Sequence, residues 1–322
     1  MLIVARRAIL FSLKENQLGT QVVVRPHDIA GPGFDLLVVK PQGEGKKYLL
    51  EGFWSDPDVS LDVGLAEVVR AYKLSRKHCT LVLPHSSYAH FTLNKPNIPH
   101  HEIRDSLPWV AQDRLEAMSF HSPVLDACLA SKSLQGKEHN KMHVFVAEDS
   151  HVRSCIDNVR SAKLKVDVVT VHELAIAAFL RDWSVDTLLG YIVVDSTHAC
   201  SLVMVLNGDF VAYKNLPSIN LEASPNVQQD QFTLFWSEVS RHFQHYISCL
   251  EKRPPVAFYL SGVGAANLNK HTLFTQCFRE KFSKGAKLNT IDLTQVMESE
   301  GVDDAVWSMI QHDLVGGALL YG

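Results

Sequence analysis

The sequence predicts an α/β protein of two lobes, each with helices covering a mixed sheet. The main observation is a repeated order: short β-rich runs, then helix, strand and helix, once in each half of the chain. Gly, Pro and Asn turns separate the runs, and no repeat at the roughly 20–50-residue spacing of a solenoid is present. The length of 322 residues suffices for one large domain or two lobes, since domains cluster near roughly 100–200 residues. The doubled order places the division near Thr187–Gly190, with a first lobe over 1–187 and a second over 188–322.

The first half opens as a β-meander of "RAILFSL", "TQVVVRP", "DLLVVKP" and "KYLLEGFW". The stretch "SLDVGLAEVVRAYKLSRK" has the helical period, with Leu61, Leu65, Val68, Val69 and Tyr72 on one face and Ser60 as cap. Strands "CTLVLPH" and "YAHFTLNKP" follow. Pro99–Leu115 reads as a helical region that Pro108 kinks or divides. Strands "SPVLDACLAS" and "KMHVFVAED" flank "LQGKEHNK", the best hairpin loop of this half. A Ser-capped helix "SHVRSCIDNVRSAKL", a strand "KVDVVTV" and a helix "HELAIAAFLRDW" complete it.

The second half begins with the hairpin "GYIVVDSTHACSLVMVLNGDFVAYKNLP" and a polar loop. A long amphipathic helix, "FTLFWSEVSRHFQHYISCLEK", carries Leu234, Phe235, Val239, Phe243 and Ile247 on its apolar face and stops at Pro254-Pro255. The strand "VAFYLSG", a Gly-containing turn, a helix, the strand "KLNTIDL" and a closing helix over 303–322 end the chain.

Composition excludes several classes. The net charge of −4 offers no electrostatic footprint for nucleic acid. No apolar run reaches the roughly 18 residues of a membrane helix, so the chain is expected in the cytoplasm unless a partner tethers it. Six scattered cysteines without a CxxC pair argue against a disulfide framework or zinc. His242 and His245 stand three apart on one helix but have no third ligand in view, so no metal site is assigned. No GxSxG, P-loop or Rossmann fingerprint occurs, and no catalytic residue is identified.

Three constellations have chemical potential. Asp195-Ser196-Thr197 closes the strand "YIVVD" and reads either as a phosphate-binding turn or as a polar strand end. A Cβ obstructs close backbone approach to phosphate, so glycine is favoured where Thr197 stands. Gly262 and Gly264 lie at a strand–helix turn, where they admit a flat adenine or merely tighten the turn. Glu238 either accepts a ribose hydroxyl or is a solvated helix carboxylate.

In this order the motifs resemble those of the PilM-like, actin-fold assembly proteins of type IV pili, and within them the MshI-type proteins of the mannose-sensitive haemagglutinin (MSHA) pilus. "LVLPHSSYAHFTLNKPNIPHHEIRDSLPWVAQDRL" is similar to that family's inserted subdomain, "FYLSGVGAAN" to its adenosine turn and "LVGGALLYG" to its C-terminal helix. The resemblance implies a two-lobed actin-like ATPase fold with a small α/β subdomain inserted over about 78–142. It implies a cytoplasmic scaffold that binds the tail of a PilN-like bitopic inner-membrane protein, with the assembly ATPase as a further contact and no membrane insertion of its own. The partner cleft of the family corresponds to Tyr88–Leu115, with Tyr88, Phe91 and Trp109 as apolar anchors if they are not simply core.

ATP-binding members carry an Asp-x-Gly loop after an early strand. The segment matched to it, "RAILFSLKENQL", offers Phe11, Ser12, Leu13 and Lys14 instead. The resemblance therefore implies a degenerate site. Residual ATP and Mg²⁺ binding would use Ser12, Asp195, Ser196, Thr197, Glu238, Gly262 and Gly264. The competing functions are a working ATPase or sugar-kinase-like phosphotransferase on the same fold, and filament formation.

Overall fold

Strand β1 (Gln21–Pro26) runs antiparallel to β2 (Phe34–Pro41), which runs antiparallel to β3 (Tyr48–Asp56). The computed structural model describes residues 19–27, 32–42, 48–194, 199–262, 265–282, 285–299, 307 and 310–320. Three of the four predicted opening strands thus form the meander, and "RAILFSL" lies outside the described residues. After β3, α1 (Leu61–Ala71) buries Leu61, Leu65, Val68 and Val69, as its period requires. Tyr72 caps its end and stays exposed.

Strand β4 (His78–Leu83) lies parallel to β1, and β8 (Lys165–Val171) lies parallel to β4. With β14 (Met297–Glu298) they complete a six-stranded sheet of order β14-β3-β2-β1-β4-β8. Because β4 is an inner strand of this sheet, the insertion starts after Leu83 and not at His78. The connection from β4 to β8 also contains α5 (Asp149–Ser161), whose N-cap is Glu148 instead of the expected Ser150.

The insertion has its own antiparallel sheet, β5-β7-β6, built from β5 (Tyr88–Asn94), β6 (Pro123–Leu129) and β7 (Lys141–Glu148). Ile103 and Leu107 of α2 (Ile103–Val110) pack on Met142, Val144 and Val146 of β7. Pro108 sits within α2, and the helical region divides at Ala111 before α3 (Gln112–Glu116).

A second five-stranded sheet has the order β11-β10-β9-β12-β13, with β9 (Leu188–Val194), β10 (Cys200–Leu206), β11 (Asp209–Leu216), β12 (Val256–Gly262) and β13 (Lys287–Thr290). Its first three strands form an antiparallel meander, and β9, β12 and β13 are parallel. This repeats the β3-β2-β1-β4-β8 pattern strand for strand. Phe232, Phe235, Trp236, Val239 and Phe243 of α7 (Pro225–Ser248) are buried, whereas Leu234 is exposed. They pack with Phe274 and Phe278 of α9 (Thr272–Lys281), which follows α8 (Ala265–Lys270).

The chain separates into two compact units, 1–129 with 140–175 and 293–322, and 130–139 with 176–292. The division falls at 175/176, where the sequence order suggests 187/188, and two segments cross it. Helix α10 (His312–Leu319) packs on β1 and β4 of the first unit, where a Cβ on Gly317 would lie 2.9 Å from both Val23 and Val82. Residues 130–139, which overlap the loop "LQGKEHNK" (134–141) expected from the sequence, end in α4 (Gly136–His139) and belong to the second unit. Ala130 and Leu134 join its core, Leu134 bridges to Leu250, and Ser131 Oγ donates to Asp209 at 2.9 Å.

Candidate functional site

Strand β8 is one edge of the six-stranded sheet, and β6 is one edge of the inserted sheet. Both edges contribute to a cavity of about 90 Å³ inside the first unit. Val124 to Ala127 of β6, Phe145 to Ala147 of β7 and Val168 to Val171 of β8 supply most of its wall, closed by Leu83, Tyr88, Val152, Leu174 and Leu320. Most of the wall is apolar, with β-branched residues from β8 and Val124, Leu125 and Ala127 from β6, and a site this small holds a few side chains, not a nucleotide.

Tyr88 is locked into this wall. Its hydroxyl donates to Glu173 Oε2 at 2.5 Å, and Glu173 Oε1 pairs with His85 Nδ1 at 3.0 Å. Glu173 is fully buried in the first turn of α6 (His172–Phe179). Burial opposes its charge, yet the hydrogen bond from His85, the neighbouring His172 and the Tyr88 hydroxyl hold its carboxyl below the usual range. The Tyr88 ring meets Phe145 edge-on at 6.0 Å.

A second buried cluster adjoins through the same turn. Arg25 of β1 donates to both oxygens of Asp313 at 3.1 and 3.0 Å and to Asp35 at 2.6 Å. His172 Nδ1 lies 2.9 Å from Asp313, and His27 Nε2 lies 2.9 Å from Asp35. Burial works against the Asp313 carboxylate, but Arg25 and His172 pull its pKa far down. Burial and Arg25 oppose the charged form of His172, but Asp313 and Glu173 outweigh them and raise its pKa. Nothing in the sequence pattern joins Arg25, Glu173 and Asp313, which are up to 288 positions apart; only the fold brings these charges together.

The three predicted partner anchors separate. Tyr88 lines the cavity. Phe91 packs in the core of the insertion with Leu107 and Val144. Trp109 is 79% exposed on α2 and is not part of the cavity wall. Its neighbours at i−2 and i−6 (Leu107 and Ile103) take the buried face of the short helix and leave the indole outward.

Ser12, Asp195, Ser196, Thr197 and Gly264 lie outside the described residues. Glu238 is described: its carboxylate accepts from Arg241 at 2.5 Å, so a ribose hydroxyl would compete with an ion pair. Gly262 has φ +91°, and a Cβ there would stand 2.1 Å from the Val194 carbonyl oxygen. Close packing of β12 on β9 therefore explains this glycine without a ligand. The two sheets share a strand order. β1–β2 takes the place in its sheet that β9–β10 takes in the other, and 27–33, "HDIAGPG", join β1 to β2 in the sequence. Gly33 is required here too, since a Cβ would meet His27 Nδ1 at 2.5 Å at a φ of +98°.

Among the described residues no group of three or more His, Cys, Asp or Glu could hold a metal, and no helix is long and apolar enough to cross a membrane. No family model matches the chain, and no curated protein matches it. Solved structures do. A chain of a PilM-PilN type IV pilus biogenesis complex is similar at 18% identity and a TM-score of 0.63, over 94% of this chain and 98% of that one. The cytoplasmic domain of EpsL, an inner-membrane component of the Vibrio cholerae type II secretion system, has 13% identity and a TM-score of 0.48 over 94% and 95%. A Bacteroides thetaiotaomicron protein with an actin-like ATPase fold has 10% identity and a TM-score of 0.48 over 84% and 90%. The first of these likenesses is one of fold. With its paired meanders and parallel crossovers, the chain has the two-lobed actin-like ATPase fold, with a small α/β subdomain inserted in the first lobe.

Proposed function

We propose that the chain is a scaffold of type IV pilus biogenesis, of the MSHA (MshI-type) branch, which holds the cytoplasmic tail of a PilN-like bitopic inner-membrane protein. The observation that carries this is the mainly apolar cavity in the first unit, walled by the edge strand β6 of the insertion and the edge strand β8 of the six-stranded sheet. The likeness in fold to a chain of a PilM-PilN complex supports it, as does the sequence resemblance. An extended tail can pair with a sheet edge and bury one or two apolar side chains, each contributing on the order of 1.5–3 kcal/mol. The chain would then be cytoplasmic and reach the membrane through this partner, with the assembly ATPase as a second contact.

In this reading the nucleotide site is weakened. Thr197 in the second hairpin and the Arg241-paired Glu238 support that, whereas the first hairpin connection retains Asp28, Gly31 and Gly33. Calorimetry with ATP and Mg²⁺ should give no micromolar binding; such binding with turnover would favour the ATPase instead. The scaffold itself is tested by membrane flotation. The chain should float only when a PilN-like protein with its tail is co-expressed, and Val169→Trp, which fills the cavity, should return it to the soluble fraction. Flotation in cells lacking every pilus component refutes the reading.

A further inference from the structure

Asp126 is the one charged side chain among the described residues of the cavity wall. Its Oδ1 accepts from the Ala127 amide at 2.9 Å, and its Oδ2 lies 4.0 Å from Arg104, at the outer limit of an ion pair. The side chain keeps 30% of its surface open. Burial already holds its carboxyl above the usual range, with Arg104 and the amide pulling it back. A segment that fills the cavity would take away the water that still solvates this carboxylate. Arg104 at 4.0 Å offsets only part of that loss, so an occupant that brings its own cation to Asp126 is favoured.

The strand context narrows the occupant further. Asp126 stands on an edge strand, across the cavity from another edge, so an extended backbone has ladder partners on either side. A charge in the middle of an edge strand refuses indiscriminate pairing with apolar strands. Both effects select the same chemistry. We propose that the cleft takes an extended, mainly apolar peptide that seats one Arg or Lys side chain against Asp126. This rests on the peptide-cleft reading above and specifies what the tail must contain.

The test pans a phage-displayed library of random dodecamers on the full chain, then measures selected peptides by fluorescence anisotropy. The wild-type chain should select apolar peptides with a basic residue at one fixed position, and Arg→Glu there should weaken binding about tenfold or more. Asp126→Asn, which keeps the shape, should cut that discrimination to about threefold or less. Asp126→Lys, checked for folding by circular dichroism, should select acidic residues at the same position. Unchanged Arg preference in Asp126→Asn overturns the proposal while leaving the cleft reading intact. Selected peptides that bind Val169→Trp equally well lie elsewhere and overturn both. A chain carrying Arg6→Glu and Arg7→Glu should bind as wild type does; a markedly tighter fit would mean that its own first segment is the occupant, which also overturns the proposal.

Discussion

The hydroxyl of Tyr88 donates a 2.5 Å hydrogen bond to the buried carboxylate of Glu173, tying the cavity wall to the first turn of α6. Glu173 carries the other side of this arrangement by pairing with His85. Glu173→Gln removes the charge and should cost about 2–4 kcal/mol in urea denaturation, because His85 and Tyr88 lose a charged acceptor. Tyr88→Phe should cost about 1–2 kcal/mol. The two should be non-additive in a double-mutant cycle; additivity within about 0.5 kcal/mol would show that the contact is not energetically shared.

Asp313 anchors α10 to the first unit through Arg25 and His172. Asp313→Ala leaves a buried guanidinium with Asp35 alone and should destabilise by about 3–5 kcal/mol. Hydrogen exchange should then speed up in β1 and α10 before it does in β9 to β13. Uniform loss of protection across both sheets would contradict the placement of 293–322 in the first unit.

His312 is buried beside Asp313, and burial pushes its pKa down to about 4. An unfolded chain with an ordinary His near 6.5 binds more protons than the folded one between these values, so stability rises with pH from about 4 to 6.5. The contribution is on the order of 3 kcal/mol. His312→Asn should flatten this window in pH-dependent urea melts. His172 has the opposite sign: its pKa is raised, so its contribution is complete below the unfolded value and is lost as pH rises through the folded one. A steep 4–6.5 limb that survives in His312→Asn would contradict the assignment.

Gly262→Ala should destabilise the second unit by more than about 2 kcal/mol in the absence of any nucleotide, since its Cβ collides with the Val194 carbonyl. A glycine kept only for ligand approach would leave the ligand-free melt unchanged.

Trp109→Ala should shift stability by less than about 0.5 kcal/mol, because the indole is exposed. Recruitment through the β6–β8 cavity should persist. Loss of recruitment with an unchanged melt would place a second partner contact on α2.

The sequence by itself determined the elements and their doubled order. Short continuous apolar runs in "QVVVRP" and "YIVV", and a period of 3.6 in "LDVGLAEVVRA", report which residues must leave water, and that is a local property. It also marked the helical region of the insertion as divided, although α2 runs through Pro108 and the break falls at Ala111. The tertiary structure alone decided which unit each segment joins. Helix α10 and residues 130–139 are assigned by partners far along the chain, Val23 and Val82 in one case and Leu250 in the other. It also decided which apolar residues are covered: Phe91 and Trp109 are alike in composition, but one faces the insertion's core and the other faces outward. The ion pair Arg25–Asp313 and the hydrogen bond from Tyr88 to Glu173 were illegible for the same reason. Their energy depends on burial and on an approach within about 3 Å, and neither is encoded in spacing along the chain.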